Sequence, residues 1–527
     1  LGLSSDAPEL KKIREYLLEG DITQNINMET KLLLAVYGLI PWECVPNLSP
    51  LLILLPQDAD FSIYSISYWV RTSLVPMSIL YGKKYAFPSF PLHPDELLGL
   101  HREKKAFPPF QAHNKMWDMF LRKLESNFSV GGEALESLAI KKCERWVLQH
   151  QDESGDWGGI YPAMQYSLLG LYALGYTLDH PVFKKGMEAL VRFHRETPST
   201  LHQQPCVSPV WDTAWSLIAL ERSGMDVSGE KFAPYRQWLL SEQILQEGDW
   251  AIRNKTGLGG AWAFQYYNAW YPDTDDTAVV IMSLLKHTRP DSRLLNALQS
   301  SIRWLLTMQN PDGGWSAFEQ GVDDEYVNAI PFNDMDNWQD PSTADVTGRC
   351  IQMLGELGMD KNFAPVRKAV RFLQKEQEKE GSWFGRWGVN YIYGTWSVVM
   401  GLSHFLEETS LELSKSAAWL ESVQNPDGGW GESCDSYEKR RYLPLGQSTA
   451  SQTAWAMLSL IHSGKAKAES VKKGATFLMK SQRKDGGWDE EHFTGTGFPR
   501  HFYLHYDYYR HYFPLWALGE YLRRQAP

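Results

Sequence analysis

This sequence has little cysteine, no surplus of positive charge and no long unbroken apolar run, and each shortage excludes a class of protein. Its five cysteines are odd in number and scattered over 527 residues. Cys44, Cys143, Cys206, Cys350 and Cys434 form no CxxC pair and join no cysteine–histidine cluster. Neither a disulfide framework nor a zinc site is legible, and a reducing compartment fits. A net charge of −11 argues against nucleic acid as a partner. No signal peptide is read at the start, where LGLSSDAPELKKIREYL is polar and helical. The most apolar early stretch, residues 32–55, is interrupted by Pro41, Glu43, Pro46 and Pro50, so it cannot cross a bilayer as one helix. Any membrane contact is expected to be peripheral. With 43% apolar and 22% charged residues, the chain can bury two cores and is not a disordered polymer. Tryptophan is what it has in excess: 22 residues, as many as phenylalanine.

Those indoles fall into a repeat. Six segments share an amphipathic helix end, a glutamine and a short glycine-containing turn that closes on tryptophan. Their Gln–Trp pairs are Gln151–Trp157, Gln243–Trp250, Gln309–Trp315, Gln377–Trp383, Gln424–Trp430 and Gln482–Trp488. Apolar residues before each glutamine recur at helical spacing. The Asn-Pro-Asp-Gly-Gly of two copies ends a helix and turns the chain, with glycine supplying positive φ. Glutamine, both donor and acceptor, can tie neighbouring backbone ends together, and the indole can cover the junction. Strand patterns are sparse. The reading is all-α: helix pairs closed into α/α toroid barrels with the repeat turns outside. These turns are expected to be braces, and by themselves they name no reaction.

The segment WYPDTDDTAVVIMSLL sets Asp273, Asp275 and Asp276 directly before an apolar helical run. Acidic groups there suit a helix N-terminus, where they cap free amides and meet the positive end of the dipole. Clustered carboxylates also attract hard cations. A third possibility is chemical. Like charges this close cannot all ionise freely, and burial raises their pKa values further. The product is a carboxylic acid that keeps its proton at neutral pH, the state that protonation of an alkene requires, provided neighbours stabilise the carboxylate left behind.

DTDDTA together with the repeated Gln–Gly–Trp turns resembles the class II triterpene cyclases, bacterial squalene–hopene cyclases above all. The similarity runs from NMETKLLLAVYGLIPW to GFPRHFYLHYDYYRHYFPLWALG. It implies that Asp275 is the proton donor, supported by Asp273 and Asp276, and that Asp345 in DPSTADVTGR is a further supporting carboxylate. It also implies an aromatic lining for carbocations: Trp69, Trp211, Phe264, Trp387, Phe498, Tyr506 and Tyr509, with Tyr393 shaping the upper cavity. No cofactor and no metal is implied. Three positions depart from the pattern. Arg349 stands where a histidine can activate the donor, and it cannot titrate usefully. Phe318 replaces a tyrosine beside the first-formed rings, and Tyr161 replaces a glutamine at the far end of the cavity. Phe318, Arg349 and the DPSTADVTGR wording are similar to the Bacillus branch that cyclises tetraprenyl-β-curcumene.

The resemblance implies a lipid polyprenyl substrate, a homodimer and monotopic contact with the cytoplasmic face of the cell membrane. Residues 97–124, which mix Lys and Arg with Phe107, Phe110, Trp117, Met119 and Phe120, suit that interfacial role. It also implies further helices before the equivalent of Leu1. Two domains are therefore expected: 1–205, an incomplete membrane-contacting barrel, and 206–527, a barrel carrying the acid motif, with the substrate cavity between them. Glycosidases share toroids and paired acids but need two carboxylates across a sugar. Prenyltransferase subunits need zinc ligands, a class I terpene enzyme needs a DDxxD, and a non-catalytic lipid-binding toroid leaves the aspartates unexplained. A class II cyclase of a diphosphate-bearing diterpene stays open.

Overall fold

The computed structural model describes residues 7–19, 26–59, 61–87, 110, 119, 132–266, 268–285, 291–324, 326–327, 330, 333 and 337–525. Apart from Phe110 and Met119, the expected interfacial segment 97–124 lies outside them. The chain packs as two compact units, residues 1–205 with 324–339, and residues 206–323 with 340–527.

The first unit contains α1 (Pro8–Glu19), α2 (Met28–Val36), α3 (Tyr68–Lys83), α4 (Gly132–Gln149), α5 (Tyr161–Ala173) and α6 (Pro181–Arg192). Helix α3 packs against α4 and α5, and α5 against α6. A hairpin of β1 (His194–Glu196) and β2 (Leu201–Gln203) follows. The returning segment is tied in by Ser67 N–H donating to the Trp338 carbonyl (2.8 Å) and Trp69 Nε1 to that of Asn337 (2.8 Å).

The second unit is a closed ring. In chain order it comprises α7 (Pro209–Arg222), α8 (Ala233–Ser241), α9 (Trp250–Arg253), α10 (Thr274–Leu285), α11 (Ser292–Thr307), α12 (Ala344–Glu356) and α13 (Ala364–Glu376). It continues with α14 (Tyr391–Leu402), α15 (Leu411–Ser422), α16 (Asp435–Lys439), α17 (Ala450–Leu460), α18 (Glu469–Ser481) and α19 (Tyr509–Gln525). Each of α7, α10, α12, α14, α17 and α19 packs on the next, and α19 returns to α7, which closes the circle. Helices α8, α11, α13, α15 and α18 stand outside it, each on its inner neighbour. Composition explains the two layers. Every residue of α14 and α17 is buried, and apart from Gln452, whose amide is hydrogen-bonded, both are built of apolar, aromatic or small residues. Outer α13 buries only the stripe Val366, Ala369, Phe372 and Leu373. The all-α toroid reading holds for this unit, and among the described residues its strands are confined to two hairpins, β3 (Trp430–Glu432) with β4 (Pro444–Thr449) and β5 (Gly495–Phe498) with β6 (Phe502–Leu504).

The repeat turns are braces with a fixed wiring. Gln309 Nε2 donates to the Gly313 carbonyl (2.8 Å) and to that of Pro365 in the next outer helix (2.9 Å). Gln151, Gln377 and Gln424 repeat both bonds, and Gln482 makes the first. Trp315 Nε1 donates back to the Leu305 carbonyl (2.8 Å), and Trp157, Trp383, Trp430 and Trp488 bond equivalently. In the ring, the backbone N–H of Trp315, Trp383 and Trp430 is received by Thr347, Thr395 and Thr453 in the first turns of α12, α14 and α17.

One repeat differs from the sequence expectation. Gln243 bonds Gly260, 17 residues on, where Gln309 bonds a glycine 4 residues on. Trp262, not Trp250, takes the indole's place: its Nε1 reaches Leu239, 23 residues back, against 10 for Trp315. Its backbone N–H meets Thr277 (3.0 Å), completing the same wiring. Both offsets are longer by 13 residues, an insertion that contains α9 and Trp250. The pairing of Gln243 with Trp250 mistook a tryptophan of the insertion for that of the repeat.

Candidate active site

The acid motif opens α10, and the structure separates the roles of its aspartates. Asp273 is the cap: its Oδ1 accepts the N–H groups of Asp275 (2.7 Å) and Asp276 (3.2 Å), satisfying donors that the helix leaves free. The N-terminal reading of the motif is therefore right for that residue. Asp275 and Asp276 occupy the first turn, both buried. Asp275 Oδ1 faces Arg349 Nε of α12 at 3.3 Å. The two are an ion pair without hydrogen-bond alignment, and both atoms are buried with no aligned partner. Asp276 Oδ1 is also buried without one.

Burial dominates the electrostatics. It pushes Asp275 up to about 7, opposed by the Arg349 cation and reinforced by Asp345. Asp273 and Asp276 are raised well above the carboxylate range, first by burial and then by neighbouring aspartates. A protonated carboxylic acid at neutral pH is thus available beside a permanent cation. Among the described residues, no group of three or more His, Cys, Asp or Glu side chains could hold a metal ion.

Arg349 is clamped. Its guanidinium lies 4.2 Å from the Trp396 ring centroid and 4.6 Å from that of Trp215, and Nη1 donates to Gln352 Oε1 (3.1 Å). Asp345 sits one turn earlier on α12. Its Oδ2 accepts the Trp387 N–H (2.8 Å), so this carboxylate positions an expected lining residue. Trp387 in turn meets Phe318 edge-on at 5.9 Å.

Phe318 is held by a residue that sequence reasoning missed. Asp340 accepts the N–H groups of Ala317 (3.1 Å), Phe318 (2.8 Å) and Glu319 (2.9 Å). Thr274, the first residue of α10, donates its N–H to the Ala317 carbonyl (2.7 Å), and its hydroxyl donates to the Ser316 carbonyl. The Phe318 loop is thereby strapped to the start of the acid helix. The available signal was Asp340 in NWQDPSTAD, five residues before Asp345.

The remaining aromatics of this unit form a second group. Tyr506 and Tyr509 stack at 4.3 Å, Trp211 Nε1 donates to the Tyr509 hydroxyl (3.0 Å), and Phe264 meets Tyr506 edge-on at 6.1 Å. Trp455 links Tyr509 (5.7 Å) to Tyr393 (5.0 Å). Burial, with Asp275 next, raises the Tyr393 phenol well above its ordinary range. Phe498 lies on β5 against Phe502 (6.1 Å), away from these ring contacts. Trp69 and Tyr161 belong to the first unit. Trp69 is buried on α3 against Tyr68, and Tyr161 opens α5 with its N–H on the Pro205 carbonyl (2.8 Å).

Comparison with known proteins shows the family. The squalene-hopene cyclase C-terminal domain matches residues 207–523 and the N-terminal domain residues 1–199. This chain belongs to the squalene-hopene cyclase family. It is 38% identical to the squalene–hopene cyclase of Zymomonas mobilis, over 99% of this chain and 81% of that protein. It is 37% identical to the Alicyclobacillus acidocaldarius enzyme of the same name, over 99% and 83%. A terpene cyclase–glycosyl transferase fusion protein of Humicola fuscoatra is 36% identical over 99% of this chain, which spans only 43% of that protein's length. No described helix is long and apolar enough to cross a membrane.

Proposed function

We propose that the chain is a class II terpene cyclase whose Asp275 protonates the terminal alkene of a polyprenyl lipid, squalene or tetraprenyl-β-curcumene. A buried acid that keeps its proton near neutrality, set against a permanent cation, carries this reading. In the first step the alkene π pair forms a C–H bond to the Asp275 proton. The O–H pair stays on the carboxylate, and a tertiary carbocation appears on the neighbouring carbon. Arg349 stabilises the new carboxylate. Successive alkenes then attack the cation and close fused rings until a proton is lost or water adds. Trp387, Phe318, Phe264, Trp211, Tyr393, Tyr506 and Tyr509, with Trp69, Tyr161 and Phe498, offer aromatic faces or shape, each face worth about 0.5–2 kcal/mol to a cation. Asp273, Asp276 and Asp345 support the donor. Peripheral contact with a membrane belongs to the same proposal because the substrate is a lipid, and the cytoplasmic face and a homodimer are added to it from the family resemblance alone.

The test uses detergent-solubilised protein with squalene and tetraprenyl-β-curcumene offered separately and products read by mass spectrometry. Cyclic product from one of them is expected, and the preferred one identifies the branch. Asp275→Asn is expected to keep the wild-type circular-dichroism spectrum and make no cyclic product. Cyclisation retained by that variant would remove Asp275 from its role.

A further inference from the structure

Polar contacts continue beyond Arg349 along one face of α12. Asp345, Arg349, Gln352 and Glu356 recur at steps of four, three and four residues, so they form a single stripe. Arg349 Nη1 donates to Gln352 Oε1 (3.1 Å), Gln352 Nε2 to Glu356 Oε1 (3.4 Å), and Arg222 Nη2 of α7 to the same Glu356 oxygen (2.8 Å). Asp275 on one side and Arg222, whose side chain is 22% exposed, on the other are thus joined by an unbroken line of contacts. The stripe crosses a core in which every residue of α12 from Ala344 to Leu354 is buried. Packing alone does not call for it. Apolar side chains of similar volume would fill the space without the desolvation that an arginine and a glutamine suffer there.

The geometry assigns these groups a task. The faces of Trp396 and Trp215 fix where the guanidinium lies, but a ring face does not fix its rotation within its own plane. An acceptor at one edge does. We propose that Gln352, braced by Glu356 and Arg222, is a positioning residue that turns Arg349 so that its Nε faces Asp275. The inference rests on Asp275 being the proton donor.

The groups that face the Asp275–Arg349 pair are Asp273 at the cap of α10 and Asp276 within it, Asp345 and Cys350 on α12, and Tyr393 on α14. Asp212 of α7 bears on Asp276. None of these is altered by changing Gln352. An Arg349 that turns away no longer favours the carboxylate, so Asp275 keeps its proton to higher pH. The anion formed on proton transfer is also less stabilised, so the step slows. These two effects have opposite signs for activity, and a general packing defect does not produce that combination.

The experiment measures kcat, KM and the pH profile of wild type, Gln352→Met and Glu356→Gln on whichever polyprene wild type cyclises, with thermal melts alongside. Because the buried Arg349 Nη1 loses its acceptor, Gln352→Met is expected to melt lower than wild type, and it should keep its KM. Its plateau kcat should fall roughly 10- to 100-fold, the loss that a misplaced catalytic contact brings, and its alkaline fall-off should move to higher pH. Glu356→Gln should move both quantities the same way by less, and it carries the test if the methionine variant does not fold. An unchanged rate, or a lower rate with the profile unmoved, overturns the positioning role. A wild type that makes no cyclic product, or a cyclising Asp275→Asn, overturns the donor reading itself and is distinguishable from failure of the chain alone.

Discussion

Trp250 and Trp262 differ in what their indole N–H groups do, and that difference predicts how each tolerates loss. Trp262 Nε1 bonds the Leu239 carbonyl, whereas Trp250 Nε1 is buried without a hydrogen-bond partner. Both rings are fully buried, so replacement by phenylalanine removes similar packing. Trp262→Phe also strands a carbonyl at the end of an outer helix, an added cost of about 1 kcal/mol. Trp250→Phe removes an unsatisfied donor and recovers part of its packing loss. The expected order of thermal midpoints is therefore wild type, then Trp250→Phe, then Trp262→Phe. The reverse order would mean that Trp250, as its sequence spacing suggested, is the repeat's true brace.

At the scale of elements, the loop bearing Phe318 depends on Asp340. Three N–H groups converge on that carboxylate, and burial nonetheless lifts it to about 6. Asp340→Ala leaves those donors without their acceptor, at about 1–3 kcal/mol each where water cannot enter. The loop should shift, and Phe318 should lose its edge contact with Trp387. A lower kcat and a larger share of partly cyclised products are expected, with Asp275 untouched; product analysis by mass spectrometry checks both. An unchanged product pattern would show that the α10 contacts of Thr274 suffice to hold the loop. This element also marks how far the sequence could be read. Helices, repeat turns and the acid motif are local patterns of spacing and turn chemistry, and they were legible. Asp345 and most of the lining entered through family resemblance, since aromatic residues in a core carry no local mark of their use. Asp340 and the 13-residue insertion act through partners 17 to 23 residues away, so even the acidic residue visible in NWQDPSTAD does not show locally what it binds. Gln352 and Glu356 did leave a trace, polar residues at helical spacing in an otherwise buried helix, but it becomes readable only once burial is known.

Across the molecule, the inner ring of the second unit is rich in buried carboxylates that serve backbone amides or other polar groups. Asp273 caps α10, Glu432 accepts the N–H groups of Asn390, Tyr391 and Ile392 at the start of α14, and Glu490 accepts that of Ser451 in α17. Asp212 receives the hydroxyls of Ser208 and Tyr512. Hydrogen bonds of this kind lower a carboxylate's pKa, yet burial wins at each site. Asp212 is raised to about 6, and Asp275 and Glu432 to about 7. A group whose folded pKa is raised binds its proton more tightly when folded. Its contribution to stability is complete below the unfolded value, 3.8 for Asp or 4.5 for Glu, and is lost as pH rises through the folded value. Buried His462 opposes this on the acid side: its folded pKa of about 4, against 6.5, removes stability as pH falls between those values. Above pH 6.5 the unfolded forms of His462 and of His511, which burial also depresses, lose their remaining charge, a smaller effect than that of the several carboxylates titrating over the same interval. The thermal midpoint is therefore expected to fall from pH 6.5 to pH 8. Glu432→Gln should flatten part of that fall, because an amide has no proton to lose. A midpoint that rises over this interval would mean that the buried carboxylates are already ionised in the folded protein, and a neutral Asp275 at physiological pH would lose its physical basis with them.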